Sequence, residues 1–232
     1  MAKTTKRFKE INKLFEKGKS YTLTEAVEIL QKTPSPKFDE SVEVALSIGV
    51  DPKKSDQQVR STVLLPNGTG KKVVVVVLAK GEKAKEAEKV GADFIGDQDL
   101  IEKIKNGWTD FDAIIATPDM MREVGKLGKV LGPRGLMPTP KAGTVTTDVA
   151  KAVEDIKKGK IEFKVDKNGI INNFVAKISF TKAHIVENIE AFIQAVSKVK
   201  PPTAKGQYLR SLFISTTMGP GLKIDLNSVS VS

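Results

Sequence analysis

The run VVVVVLA at residues 73–79 sets the architecture. Its consecutive valines put β-branched side chains on both sides of a strand, the pattern of a parallel strand covered on both faces. Helix and strand signals alternate after it: residues 82–89 read as helix, 93–95 as strand, 99–105 as helix and 111–116 as another buried strand. That is βαβ alternation, and it predicts a small parallel sheet between helices.

Outward from this run the periodicity changes. Val42, Val44, Leu46, Ile48 and Val50 alternate with Glu43, Ala45, Ser47 and Gly49, which is a half-buried strand. Before it, Thr22 and Glu25 make a capping box for a helix that buries Ala26, Val27, Ile29 and Leu30. The same grammar returns after residue 160. Ile161, Phe163 and Val165 alternate up to Asp166-Lys167-Asn168-Gly169, a hairpin signal, and Phe174, Ala176, Ile178 and Phe180 alternate away from it. A helix over 184–199 carries Ile185, Ile189, Phe192, Ile193 and Val196 on one stripe, Pro201-Pro202 stops it, and 208–215 read as a last strand. The chain thus reads as a discontinuous antiparallel α+β domain, residues 1–67 and 160–232, with a parallel α/β domain, residues 68–159, inserted. Two crossings near 66–70 and 159 would form a hinge, with motion the default expectation. Two domains in series, or three small ones, satisfy the same periodicity.

Composition narrows the chemistry. The 232 residues carry a net charge of +10, which suits a folded protein that works against polyanions. Residues 1–67 hold twelve Lys and Arg against nine acids, 68–159 sixteen against fourteen, and 160–232 ten against five. The outer domain therefore carries +8 of the +10, and the seven basic groups in its first twenty residues read in part as a flexible arm. With no cysteine and only His184 as histidine, disulfides, thiolate chemistry and a zinc cluster fall away. No apolar run of about eighteen residues exists and no signal peptide opens the chain, so the expectation is a cytoplasmic protein with no membrane partner.

Enzyme readings find little support. NGTGKKV at 67–73 has Leu65 where a phosphate loop needs its first glycine, and Lys72 where Ser or Thr should follow the lysine. His184 has no second histidine and no evident nucleophile, and reads as a capping or surface residue. Two segments stand out instead. LGPRGLMPTPKAGTVT at 131–146 alternates proline and glycine and places Arg134 on a stiff turn suited to phosphate. TTMGPG at 216–221 joins hydroxyls, a thioether and glycines into a surface on which RNA can lie.

KFDESVEVAL at 37–46, VDPKKSDQQVRSTVLLPNGTGKK at 50–72, LGPRGLMPTPKAGTVT at 131–146, KIEFKVDKNGI at 160–170 and AKGQYLRSLFISTTMGPG at 204–221 resemble consecutive blocks of the ribosomal protein L one family, in order, across essentially the whole chain. The resemblance implies an α+β domain made from both chain ends with a Rossmann-like domain inserted, no enzymatic activity and no cofactor. It further implies binding to large-subunit ribosomal RNA of the mobile stalk beside the exit site, help in releasing deacylated tRNA, and repression of its own operon through mRNA. The protein would be ribosome-bound, and a monomer when free. Carried over residue by residue, the RNA surface comprises Lys37, Phe38, Ser41, Ser211, Thr217, Met218 and Gly219, to which Lys164 and Lys167 are added as phosphate contacts. Phe38 and Met218 would pack on sugar or base, Ser211 and Thr217 would hydrogen-bond to 2′-hydroxyls or backbone oxygens, and Gly219 would let the chain come close. Ser61 and Asn67 depart from the family pattern, which has glycine and histidine there. A nucleotide-dependent enzyme whose parallel sheet binds phosphate is the competing class.

Overall fold

Residues 5–34 and 36–229 are described by the structure, a computed structural model. In chain order the elements are α1 (Lys6–Ile11), β1 (Ser20–Tyr21), α2 (Leu23–Lys32), β2 (Ser41–Ile48), β3 (Arg60–Leu64), β4 (Val75–Leu78), α3 (Glu82–Lys89), β5 (Phe94–Gly96) and α4 (Gln98–Lys105). There follow β6 (Ala113–Ala116), the short α5 (Met121–Val124) and α6 (Gly128–Leu131), α7 (Val149–Lys157), β7 (Lys160–Lys164), β8 (Ile170–Lys177), α8 (Lys182–Lys198), β9 (Leu209–Thr216) and β10 (Leu222–Ile224). The chain forms two compact units, Met1–Gly70 with Phe163–Ser232, and Lys71–Glu162. The fold is α/β and α+β combined.

In the first unit a five-stranded sheet runs β1-β10-β9-β2-β8, antiparallel except for the β1–β10 pair. One face is apolar: Val42, Val44, Leu46 and Ile48 of β2 lie beside Leu212 and Ile214 of β9, all buried. α2 and α8 pack on the sheet and on each other. α2 starts at the expected capping box, with the Thr22 hydroxyl on the Glu25 N–H and the Glu25 carboxylate on the Thr22 N–H. The stripe Ile185, Ile189, Phe192, Ile193 and Val196 of α8 is fully buried. The other face of the sheet is left open by these two helices.

Three expectations change. The turn at Asp166–Gly169 forms, with the Asp166 N–H on the Ile170 carbonyl, but it joins no hairpin. β7 pairs with β3 in a separate two-stranded sheet, and β8 pairs with β2. The alternation of Phe174 and Ala176 is broken by a β-bulge: Val42 faces Ala176 and Glu43 faces Phe174, so Val175 is the extra residue and is buried. The basic N-terminal segment is folded where it is described. Thr5 caps α1 and Ile11 is fully buried; Lys3, which belongs to the same charge count, lies outside the described residues.

The second unit holds a three-stranded parallel sheet, order β5-β4-β6. β4 lies in the middle and explains its own sequence. Val75 and Val77 pack with Ala87, Val149, Val153 and Ile156 of α3 and α7, while Val76 and Leu78 pack with Ile104, Met120, Val124 and Leu131 on the other side. Both faces are covered, so both need apolar residues. Among the described residues no helix is long and apolar enough to cross a membrane.

Candidate nucleic-acid interface

The open face of the five-stranded sheet is legible from its register. Glu43 lies between Phe174 and Ser215, Ala45 between Asn172 and Phe213, and Ser47 between Ile170 and Ser211. Phe213 in turn faces Lys223, and Lys223 faces Ser20. Serines, Ala45, Asn172, Glu43 and Lys223 thus share this face with Ile170, Phe174 and Phe213, the last 40% exposed.

At one end of this floor the loop after β9 is stitched to the start of β2. The Ser41 N–H donates to the Thr217 hydroxyl at 3.0 Å, and the Thr217 N–H donates to the Ser41 carbonyl at 3.1 Å. The Met218 N–H donates to Glu40 Oε1 at 2.8 Å. Glu40 is buried, and the Arg7 guanidinium from α1 lies 3.7 Å from the same oxygen. Lys177 Nζ donates to Ser41 Oγ at 3.0 Å and to the Asp39 carbonyl at 3.2 Å. This end shows two large apolar side chains to water, Phe38 at 51% and Met218 at 52% exposure. Gly219 has a reason inside the fold: a Cβ there would stand 2.1 Å from Thr216 Oγ1.

Of the residues expected on the RNA surface, Lys37, Phe38, Ser41, Thr217, Met218 and Gly219 gather at this end. Ser211 does not, because it pairs with Ser47, six residues along β2 from Ser41, or about 20 Å at the rise of a strand. Lys167 is exposed in the turn whose Gly169 carbonyl accepts the Ile48 N–H, so it lies at the Ser211 end. Lys164 is placed elsewhere. It sits on β7, where Phe163 stacks edge-on against Phe192 of α8 and Lys164 points the other way. Lys177, Phe213, Lys223 and the Arg7–Glu40 pair escaped the sequence reading. The phase of Ser211 and Ser215 places Phe213 on their face, but nothing local marks Glu40.

The 67–73 segment, the candidate phosphate loop, is bonded to α8. The Gly68 carbonyl of the 67–73 segment accepts from Asn188 Nδ2 at 2.8 Å, and a Cβ at Gly70 would strike the Phe180 ring. Asn67, one of the departures from the family pattern, bonds Glu187 Oε2 at 2.7 Å and Asn188 Oδ1 through its backbone at 3.1 Å. In the 131–146 loop, the Arg134 guanidinium is engaged by the Thr109 hydroxyl. Leu136 and Met137 pack on the core there, and Val145 bridges to Ala116.

An antiparallel sheet with one face left open by α2 and α8, joined in the same chain to a three-stranded parallel sheet covered on both faces, defines a two-unit α/β and α+β protein. The sequence model of the Ribosomal protein L1p/L10e family matches residues 30–220. The large ribosomal subunit protein uL1 of Protochlamydia amoebophila is 62% identical over 226 residues, covering 97% of this chain and 96% of that protein. The protein of the same name from Chlamydia pneumoniae is 59% identical over 232 residues, the full length of both chains. This chain belongs to the ribosomal protein L1p/L10e family, a family of ribosomal proteins and not of enzymes.

Proposed function

We propose that the protein binds the mobile-stalk RNA of the large ribosomal subunit through the first unit, along the open sheet face and its Ser41–Thr217 end. As a large-subunit ribosomal protein it is ribosome-bound in the cytoplasm. One observation supports this reading: Phe38 and Met218 stand half in water at the end where Ser41, Thr217 and Glu40 bond the loop after β9 to the start of β2. An exposed apolar side chain beside a tethered backbone can stack on ribose or base with less ordering of the main chain. Ser211 and Lys167 extend the contact to the far end, Lys37 supplies a phosphate partner, and Lys164 is the weakest member. The resemblance adds the finer roles: release of deacylated tRNA at the exit site, repression of its own operon by binding mRNA, and a monomeric state off the ribosome.

The test is a competition between a stalk fragment of large-subunit ribosomal RNA and a scrambled RNA of equal length across a salt series. A preference of about 4 kcal/mol or more that persists at high salt is expected for shape-specific recognition. Equal affinities that fall together with salt would remove the stalk assignment. Adding the leader of the operon mRNA as a third competitor reads the repressor role, which predicts displacement of the stalk fragment.

A further inference from the structure

We propose a second RNA site on the first unit: a cleft at the β1–β10 edge of the open face that takes one unstacked nucleotide, its base on Phe213 and its phosphate among Lys17, Lys19 and Lys223. The proposal rests on the reading of the open face as an RNA surface and extends that surface by one pocket.

The cleft holds about 560 Å³, within the range of small-ligand sites. Phe8 of α1, Phe15 and Phe213 give it aromatic walls, and Phe8 and Phe213 remain 38% and 40% exposed. An exposed ring in a concave site gains most from a flat partner, and every nucleobase offers one. Phe213 lies in register with Ala45 and Lys223 on the same face as Ser211 and Ser215. A strand of RNA on the open face therefore reaches the cleft without crossing an edge.

The basic rim is built into the fold. Lys17 and Lys19 flank Gly18, whose φ of +87° a side chain would resist. The Tyr21 hydroxyl accepts the Glu16 N–H at 2.7 Å, and Lys19 Nζ stands 5.6 Å from the centre of the Tyr21 ring. The turn that carries both lysines is thus pinned to β1. Glu16 is the one acid lining the cleft among the described residues, set against three lysines, so an anion is favoured. Aromatic walls with a cationic rim suit a base with its phosphate, whereas an acidic peptide would leave the rings uncovered. Pro220 and Gly221, directly after Gly219, also line it. Phe8, Phe15, Lys17, Lys19 and Lys223 all lie outside residues 30–220, the span of the family match.

The experiment titrates the full-length, nitrogen-15-labelled protein with a single-stranded RNA pentanucleotide and follows backbone amides. Saturating shifts are expected at residues 15–21 and 221–223. Phe213→Ala should weaken the pentanucleotide about 5- to 100-fold, and Phe213→Trp should restore it. Each lysine changed to alanine should lower the salt slope by about 0.7 without affecting the stacking. Shifts confined to other residues, or a Phe213→Ala variant that binds like the wild type, would overturn the cleft. The stalk competition run beside it keeps the two readings apart. Stalk preference without cleft shifts removes the cleft alone, and cleft shifts without stalk preference remove the stalk assignment alone.

Discussion

Glu40 holds Met218 from inside the protein. Its carboxylate is 2% exposed, accepts the Met218 N–H at 2.8 Å and faces the Arg7 guanidinium at 3.7 Å, so an exposed thioether rests on a buried charge. Arg7 is itself tied by its Nε to the Pro34 carbonyl at 2.9 Å. The N-terminal helix, far from the loop in sequence, is thereby part of the support for the candidate RNA surface.

Removal of that support should be read in stability and in binding together. Glu40→Ala leaves the Met218 N–H without its acceptor and the Arg7 guanidinium without its ion-pair partner, and is expected to cost about 2 to 3 kcal/mol in urea unfolding. Glu40→Gln keeps an oxygen for Met218, and should lower stalk-RNA affinity less than the alanine variant does. Equal losses in the two variants would show that the charge, and not the hydrogen bond to Met218, sets the loop.

Thr217 has two duties that substitution separates. Its hydroxyl accepts the Ser41 N–H, and any RNA contact is made by the same oxygen from its exposed side. Thr217→Val is expected to lower RNA affinity by about 1 to 3 kcal/mol and stability by about 1 kcal/mol. Thr217→Ser should lower neither. Unchanged RNA affinity in the valine variant would take Thr217 off the surface.

Gly219 and Thr216 should behave as a coupled pair. A methyl at 219 meets Thr216 Oγ1 at 2.1 Å, and that oxygen is buried without a hydrogen-bond partner. Gly219→Ala is expected to destabilise by about 1 to 3 kcal/mol, the usual cost of forced overpacking. Adding Thr216→Ala should return most of the loss, because the clashing hydroxyl made no bond that must be replaced. Additive losses in the double variant would mean that Gly219 is required for another reason.

Tyr208 gives the fold an alkaline limit. Burial pushes its phenol up from 10 to about 12, and the hydroxyl donates to the Val196 carbonyl at 3.2 Å. Between those values the folded chain keeps a proton that the unfolded chain has lost. The contribution is therefore complete below about pH 10 and disappears as pH rises through about 12. The difference in unfolding free energy between wild type and Tyr208→Phe should shrink across that window. A difference that stays constant from pH 9 to 12 would contradict it.

How far the sequence could be read follows from which contacts are local in pattern. β2 and β9 announce themselves because burial on one face imposes a period of two, and β4 because burial on both faces removes it. The α8 stripe is legible for the same reason. Partner choice is another matter: Asn168-Gly169 specifies a turn, and nothing in it specifies that β7 leaves β8 for β3. Glu40 looks like any surface acid, since what buries it comes from Arg7 and Met218. The β1–β10 pair, two or three residues long, has too few side chains to show a period. The cleft is formed by chain ends that only tertiary structure brings together.

The bulge in β8 is the case in which a hidden feature has one visible cause. Val175 is the residue without a partner on β2, and its carbonyl is taken by Asn188 Nδ2 at 2.8 Å from the middle of α8. The same amide donates to the Gly68 carbonyl at 2.8 Å, and its oxygen accepts the Asn67 N–H at 3.1 Å. Asn188 is fully buried, so each of these bonds replaces one to water. Asn188→Ala strands two carbonyls and an N–H, and is expected to cost about 3 kcal/mol in urea unfolding. Asn188→Leu should be no better, for filling the space leaves the same groups unpaired. Hydrogen exchange offers a second reading, with faster exchange expected at Asn67 in either variant. A leucine variant as stable as the wild type would mean that water satisfies the bulge, and that Asn188 does not hold it.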